Sequence, residues 1–207
     1  MDTYVYSIED DAEHSKTLYV NLTNKCSNAC LFCIRNTVDE IKGKNMWLEK
    51  EDVEAKDVIA QFANFDTPEE VVFCGYGEPF MRLDLLKGVA SYLKEKDIKV
   101  RVNTNGQGNV INKRCILPEI QNLVDVVSVS LNASNDEQYK LISKPKFENA
   151  FEEMKKFTKE CVEYGIKTIM TVVDGYPDYT LDLVACEEVA KSLGAEFRVR
   201  QWIKNGY

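Results

Sequence analysis

No stretch of the 207 residues approaches the roughly 20 consecutive apolar positions that a membrane-spanning helix needs. The acidic start, MDTYVYSIEDDAEH, also lacks the charged-then-apolar pattern of a secretory leader. A cytoplasmic protein with no membrane association is expected. Excess positive charge is missing too: 34 acidic and 26 basic residues leave a net charge of -8, which argues against holding nucleic acid by bulk electrostatics. The lysines at 140, 144, 146, 155, 156 and 159 alternate with glutamates and read as a solvated helix face. Only one histidine occurs, His14, ahead of the first expected strand. Internal repeats, linkers and low-complexity segments are absent, so residues 1–207 read as a single domain.

What is present is an alternation of short Val-, Ile- and Phe-rich runs with amphipathic helical patterns, about six times over. The expected strands are LYVNL (18–22), EVVFC (70–74), IKVRVN (98–103), VVSVSL (126–131), TIMTVV (168–173) and EFRVRQ (196–201). Helical patterns fall near 49–64, 82–96, 135–142, 147–165 and 179–193. Such alternation implies an α/β fold with right-handed crossovers and a parallel sheet. The strands are not uniformly apolar. Arg101 and Asn103, Ser128 and Ser130, and Arg198 and Arg200 recur at period two, on strands that a filled barrel would make apolar throughout. A partial (β/α)6 TIM-like barrel, with a lumen for a polar ligand at the carboxyl ends of the strands, accommodates that pattern.

Seven cysteines are an odd number, in a chain too long to need stapling. Three of them, Cys26, Cys30 and Cys33, fall on the loop that follows the first strand. Three thiolates can hold a zinc ion with an open fourth position, or three irons of a 4Fe-4S cluster with the fourth left free. Cys74 sits near the same rim, where it is either a small buried hydrophobe or a reactive thiol. Cys115, Cys161 and Cys186 fall on or beside helices and read as packing residues, and Met170 as core.

The spacing C-x3-C-x2-C, with Phe32 before the last cysteine, resembles the signature of the radical S-adenosylmethionine (radical SAM) enzymes. Its place after a first strand, at the head of a six-fold alternation, strengthens the likeness. The resemblance implies a radical SAM core with a 4Fe-4S cluster on Cys26, Cys30 and Cys33. The open iron would chelate S-adenosylmethionine, and reductive cleavage would give methionine and a 5'-deoxyadenosyl radical that abstracts hydrogen from a substrate. CGYGEP (74–79) resembles the glycine-rich loop that takes the amino group in that family. It departs at Tyr76, so Gly77, Glu78 and Pro79 match better than Gly75 and Tyr76. NTNG (103–106) offers Asn103 and Asn105, or else is a turn with Gly106 at positive φ. Ser130 and Asn132 have the type and parity for ribose hydroxyls. Val172, Val173 and the run from Arg198 to Trp202 would frame the adenine. Arg35 and Asn36 either touch substrate or cap the next element.

LYVNLTNKCSNACLFCIRNT, VVFCGYGEPFMRLDLL, VRVNTNG, VDVVSVSLNA and FRVRQ together are similar to the TatD-linked radical SAM proteins. That likeness implies flavodoxin or ferredoxin as electron donor and a TatD-like hydrolase as a possible partner. The sequence stops a few residues after the last strand, so an uncapped barrel open to a macromolecular substrate or partner is expected. Inward-facing Arg101, Arg198 and Arg200 would suit an anionic group. Two alternatives stay open: an activase that installs a glycyl radical on a partner enzyme, from which Asn103 and Asn132 depart, and a non-catalytic iron-sulfur or zinc module that senses redox state or binds a partner.

Overall fold

The computed structural model describes residues 2–9, 15–50 and 52–203; His14 lies outside them. Among the described residues nine strands and seven α-helices follow in chain order. The strands are β1 (Val5–Tyr6), β2 (Thr17–Val20), β3 (Glu40–Ile41), β4 (Lys44–Asn45), β5 (Glu70–Phe73), β6 (Lys99–Thr104), β7 (Val126–Ser130), β8 (Lys167–Asp174) and β9 (Glu196–Gln201). The helices are α1 (Ala55–Ala60), α2 (Leu83–Glu95), α3 (Gly108–Asn112), α4 (Leu117–Ile120), α5 (Asp136–Ser143), α6 (Ala150–Glu163) and α7 (Leu183–Ser192).

Six strands pair parallel in strict sequence order, β2-β5-β6-β7-β8-β9. A doubly wound sheet would reverse its order part way; this one does not, so right-handed crossovers place the helices on one face and leave the other as the lumen of an open barrel. The expected fold is the observed one. Two features were not expected. β1 pairs antiparallel with the outer edge of β2, and β3 and β4 form a separate small hairpin. Strands of two residues are too short to leave an alternating pattern in the sequence.

Side-chain alternation divides the sheet into two surfaces. Leu18, Val20, Val71, Phe73, Val100, Val102, Val127, Val129, Met170 and Val172 face the helices and are buried in the main core. They meet Leu86, Val89 and Leu93 of α2, and Met154, Phe157 and Cys161 of α6, which recur at helical spacing. Register partners share the opposite, lumenal face: Val72 with Arg101, Asn103 with Ser128, Ser130 with Thr171, and Thr171 with Arg198. A second apolar cluster, Tyr6, Ile41, Met46 and Tyr76 backed by Tyr19 and Trp47, fills the lumenal side near β1 and the hairpin.

The first helical pattern shortens to α1 followed by a 3-10 turn at Gln61–Asn64. Cys161 and Cys186 are buried packing residues as expected, whereas Cys115 is exposed on the connection between α3 and α4. Three of the lysines in the basic run pair along their own helices, Lys140 with Asp136, Lys155 with Glu152 and Lys159 with Glu163, as a solvated face does.

Candidate functional site

The chain leaves β2 as an irregular loop that carries the three cysteines, and backbone hydrogen bonds stitch this loop to the end of α5. Ala29 N–H donates to the Ser143 carbonyl (3.1 Å), Leu31 N–H to Ile142 (2.9 Å), and Lys146 N–H to Ser27 (2.8 Å). Arg35 and Asn36 resolve into clamps. The Arg35 guanidinium donates to the carbonyls of Asn24, Asn28 and Tyr76 at 3.3–3.4 Å, and the Asn36 amide to that of Cys30 at 3.0 Å.

Behind the loop lies a buried polar network that the sequence reading missed. Gln107 donates to Asn28 Oδ1 (2.8 Å) and to the Tyr139 hydroxyl (3.2 Å), which also accepts from Asn28 Nδ2 (3.2 Å). Asn105 Nδ2 donates to Ser27 Oγ at 2.7 Å. The available signal was polar type alone: Asn28 lies between two cysteines, and Gln107 directly follows NTNG.

The three thiols line one cavity of about 450 Å³, a size that suits a small-molecule ligand. Burial pushes Cys26 up to about 11, with the Glu78 carboxylate adding to it. Burial, then the neighbouring Cys33 and Cys26, pushes Cys30 up to about 12; Cys33 is raised by burial as well. Donors already point at the sulfurs. Asn28 N–H lies 3.4 Å from Cys26 Sγ and Asn105 Nδ2 lies 3.9 Å from it, while Ser143 and Asn28 hydrogen-bond Cys30. Among the described residues no three His, Cys, Asp or Glu side chains converge on a single ion position. The three thiols on one cavity, with hydrogen-bond donors at Cys26 and Cys30, fit a cluster with one iron per thiolate.

The same cavity is lined by Phe32, Gly75, Tyr76, Gly77, Glu78, Asn103, Asn105, Ser130 and Asn132, along with Cys74. Asn103 Oδ1 is buried with no hydrogen-bond partner among the described residues, an acceptor suited to a ligand ammonium or hydroxyl. Asn132 stands at φ +60° and its amide donates to Ser143 Oγ at 3.1 Å. Gly106 has φ +76°, as the turn reading requires. Val173, Arg200, Gln201 and Trp202 complete the far wall. Val172 faces the helical core instead. Arg198 and Pro79 also lie outside the cavity wall: Arg198 is exposed two residues below Arg200 on β9, and Pro79 is buried at the start of a 3-10 turn.

Glu78 lines the cavity and is also tied into the protein. It is 2 % exposed and its carboxylate is occupied by the protein: Oε1 accepts from Thr104 Oγ1 (2.7 Å) and Phe80 N–H (3.2 Å), and Oε2 from Asn105 N–H (2.8 Å). It joins the glycine loop to the NTNG loop. The glycines likewise serve the packing of loop on loop. A Cβ on Gly75 would fall 2.2 Å from Asn21 Oδ1, and one on Gly77 would fall 2.3 Å from the Thr23 carbonyl oxygen. Tyr76, at the position that departs from the family pattern, is buried, donates its hydroxyl to the Val38 carbonyl and packs edge-on against Trp47 at 4.9 Å.

Burial raises the Glu78 carboxyl to about 7, opposed by its three hydrogen bonds. The folded-state value exceeds the ordinary one of about 4.5, so the folded chain holds a proton that the unfolded chain releases. That contribution is complete below about pH 4.5 and is lost as pH rises through about 7, an effect on the order of 3 kcal/mol. Denaturant titration of the metal-free protein at pH 5 and pH 8 should show wild type losing that much relative to Glu78→Gln. Parallel pH profiles would sink the assignment.

A single-wound open α/β barrel gathers three thiols and a polar cavity at the carboxyl ends of its strands, the rim at which barrels of this kind carry their ligand-binding loops. The profile of the radical SAM superfamily matches residues 20–185, and the chain belongs to that superfamily. It is 26 % identical over 137 residues to an uncharacterized protein of Methanocaldococcus jannaschii, covering 66 % of this chain and 40 % of the relative. A probable GTP 3',8-cyclase of Methanococcus maripaludis is 24 % identical over 191 residues, covering 91 % of this chain and 59 % of the cyclase. Streptococcus suis SuiB bound to the precursor peptide SuiA superposes with a TM-score of 0.64 at 18 % identity, over 93 % of this chain and 40 % of SuiB. The chain thus spans between two fifths and three fifths of these proteins.

Proposed function

We propose that this chain holds a 4Fe-4S cluster on Cys26, Cys30 and Cys33 and binds S-adenosylmethionine in the adjoining cavity, acting as a radical SAM enzyme. The observation that carries the reading is the convergence of three thiols and the orphaned Asn103 acceptor on one cavity at the strand ends. When bound, the cluster supplies the electron that cleaves S-adenosylmethionine to methionine and a hydrogen-abstracting 5'-deoxyadenosyl radical. The protein's part is binding, orientation and exclusion of water. Asn28, Asn105 and Ser143 present hydrogen bonds to the thiolates and so tune their potential. Asn103, Asn105, Ser130 and Asn132 offer polar contacts to S-adenosylmethionine, and Phe32, Val173 and Trp202 offer apolar walls. Glu78 acts through the two loops it joins.

Residues 1–207 form one radical SAM core in this reading, in a cytoplasmic protein supplied with electrons by a flavodoxin or ferredoxin. The likeness of its motifs to the TatD-linked radical SAM proteins supports that branch, with a TatD-like hydrolase as a candidate partner. The lumen is open between β1 and β9, which supports a macromolecular substrate or a partner that covers the gap. Anaerobic reconstitution with iron and sulfide, then dithionite and S-adenosylmethionine, tests the reading. Methionine and 5'-deoxyadenosine are expected in equal amounts. A cluster-loaded protein that forms neither would leave it a redox or partner-binding module.

A further inference from the structure

Of the lysines at 140, 144, 146, 155, 156 and 159, three pair along their own helices, but Lys144 and Lys146 make no ion pair with the described residues. Both are exposed, and they flank Pro145 just beyond α5, where the main chain is bonded to the cysteine loop. The Lys144 carbonyl accepts from Ala29 N–H at 3.3 Å, and Lys146 N–H donates to the Ser27 carbonyl at 2.8 Å. The two segments so joined are unlike the rest of a chain whose net charge is -8. Residues 21–38 and 138–147 hold Lys25, Arg35, Lys140, Lys144 and Lys146, and neither an aspartate nor a glutamate. Apolar surface accompanies the charge: Leu141, in the last turn of α5, is 65 % exposed, and Ala29 is exposed on the loop. Leu141, Lys144 and Lys146 all lie outside the cavity wall. Ser143, between them in the chain, hydrogen-bonds the Cys30 thiol.

We propose that this patch, centred on Lys144 and Lys146, is the docking surface for a flavodoxin, an acidic flavin protein that reduces the cluster. The inference rests on the radical SAM reading, which needs an electron from outside the chain. Lysines at the rim of a contact steer and orient a partner of opposite charge. The benzenoid edge of a flavin is apolar, so a flavin edge ringed by carboxylates matches an apolar centre ringed by lysines; Leu141 and Ala29 supply that centre. The route inward is then short, since Lys144 adjoins Ser143 and Ser143 bonds the Cys30 thiol. One electron passes along it: the flavin is oxidised and the cluster reduced, with no bond made or broken. A carrier seated here leaves the cavity to S-adenosylmethionine and substrate.

The test is calorimetric titration of the cluster-loaded protein with oxidised flavodoxin at low ionic strength, beside 5'-deoxyadenosine formation driven by reduced flavodoxin and, separately, by dithionite. Saturable binding that weakens as salt is added is expected. Lys144→Glu/Lys146→Glu should lower the affinity and the flavodoxin-driven rate about tenfold or more while leaving the dithionite-driven rate unchanged. Lys99→Glu/Lys167→Glu makes the same change of charge at the amino ends of β6 and β8 and should keep most of the affinity. Absence of saturable binding overturns the proposal, as does an equal loss in both double variants, which would reflect net charge alone. A dithionite-driven rate that falls as far as the flavodoxin-driven one also overturns it, because the lysines would then serve the loop itself. Ferredoxin binding that depends on the two lysines where flavodoxin binding does not would reject flavodoxin as the occupant. Flavodoxin binding lost in Lys144→Glu/Lys146→Glu, in a protein that forms no 5'-deoxyadenosine with dithionite, would uphold the surface and reject the radical reading.

Discussion

Replacing Cys30 with alanine is expected to abolish 5'-deoxyadenosine formation and to lower bound iron from about four per chain to a small fraction of that. Cys30 has the most strongly raised thiol of the three, between Cys26 and Cys33, with Ser143 and Asn28 hydrogen-bonded to it. Two remaining thiolates cannot hold a cubane against exchange with solvent and chelators. The fold should survive, because the loop is fixed by the backbone bonds to Ser143, Ile142 and Lys146 and not by the thiol. Iron analysis, the visible absorption of the cluster and far-ultraviolet circular dichroism separate these effects. Full iron content with full turnover in Cys30→Ala would remove the cluster assignment altogether.

Gly77→Ala should be the most damaging change of a single methyl group. The added Cβ would lie 2.3 Å from the Thr23 carbonyl oxygen and 2.5 Å from that of Lys25, and both are backbone atoms that cannot turn aside. The glycine loop would have to lift from the cysteine loop, breaking the Glu78 N–H to Lys25 carbonyl bond at 2.8 Å and tilting the carboxylate that ties down Asn105. A cost of about 3 kcal/mol or more is expected, with loss of S-adenosylmethionine cleavage. Gly43→Ala supplies the control. Gly43 has φ +72° but nothing within 4 Å of an added Cβ, so only the left-handed backbone costs, at about 1 kcal/mol. Thermal denaturation of both variants checks the ranking, and equal melting temperatures would refute the close-approach argument.

The six parallel strands were legible because each carries its own alternation: Val100 and Val102 turn to the helices while Arg101 and Asn103 turn to the lumen. β1 and the β3–β4 hairpin were not, since their residues pair only because the rest of the sheet brings a partner to them. At the site, the cysteines and the asparagines of NTNG were legible as residue types that hold metals and ligands. Their supports were not. Nothing local marks Gln107 or Tyr139 as partners of Asn28, because those contacts join positions 79 and 111 residues apart. Glu78 was recognised by motif and given a ligand's role. Its partners within the protein, Thr104 and Asn105, come from the next strand end, so only the assembled sheet shows that the carboxylate also joins two loops.

The stitching of the cysteine loop to the end of α5 has a thermodynamic consequence. In small zinc domains the metal is the folding energy, and the apo chain is unfolded. Here the backbone hydrogen bonds of Ala29, Leu31 and Lys146 are made to main-chain carbonyls and not to the thiols, so the loop's anchors and the proposed cluster ligands are separate groups. Loss of the proposed cluster is then expected to leave the fold in place, as circular dichroism of the loaded and chelator-treated protein would show. Loading should raise the melting temperature only by the mass-action amount that the cluster's own affinity dictates.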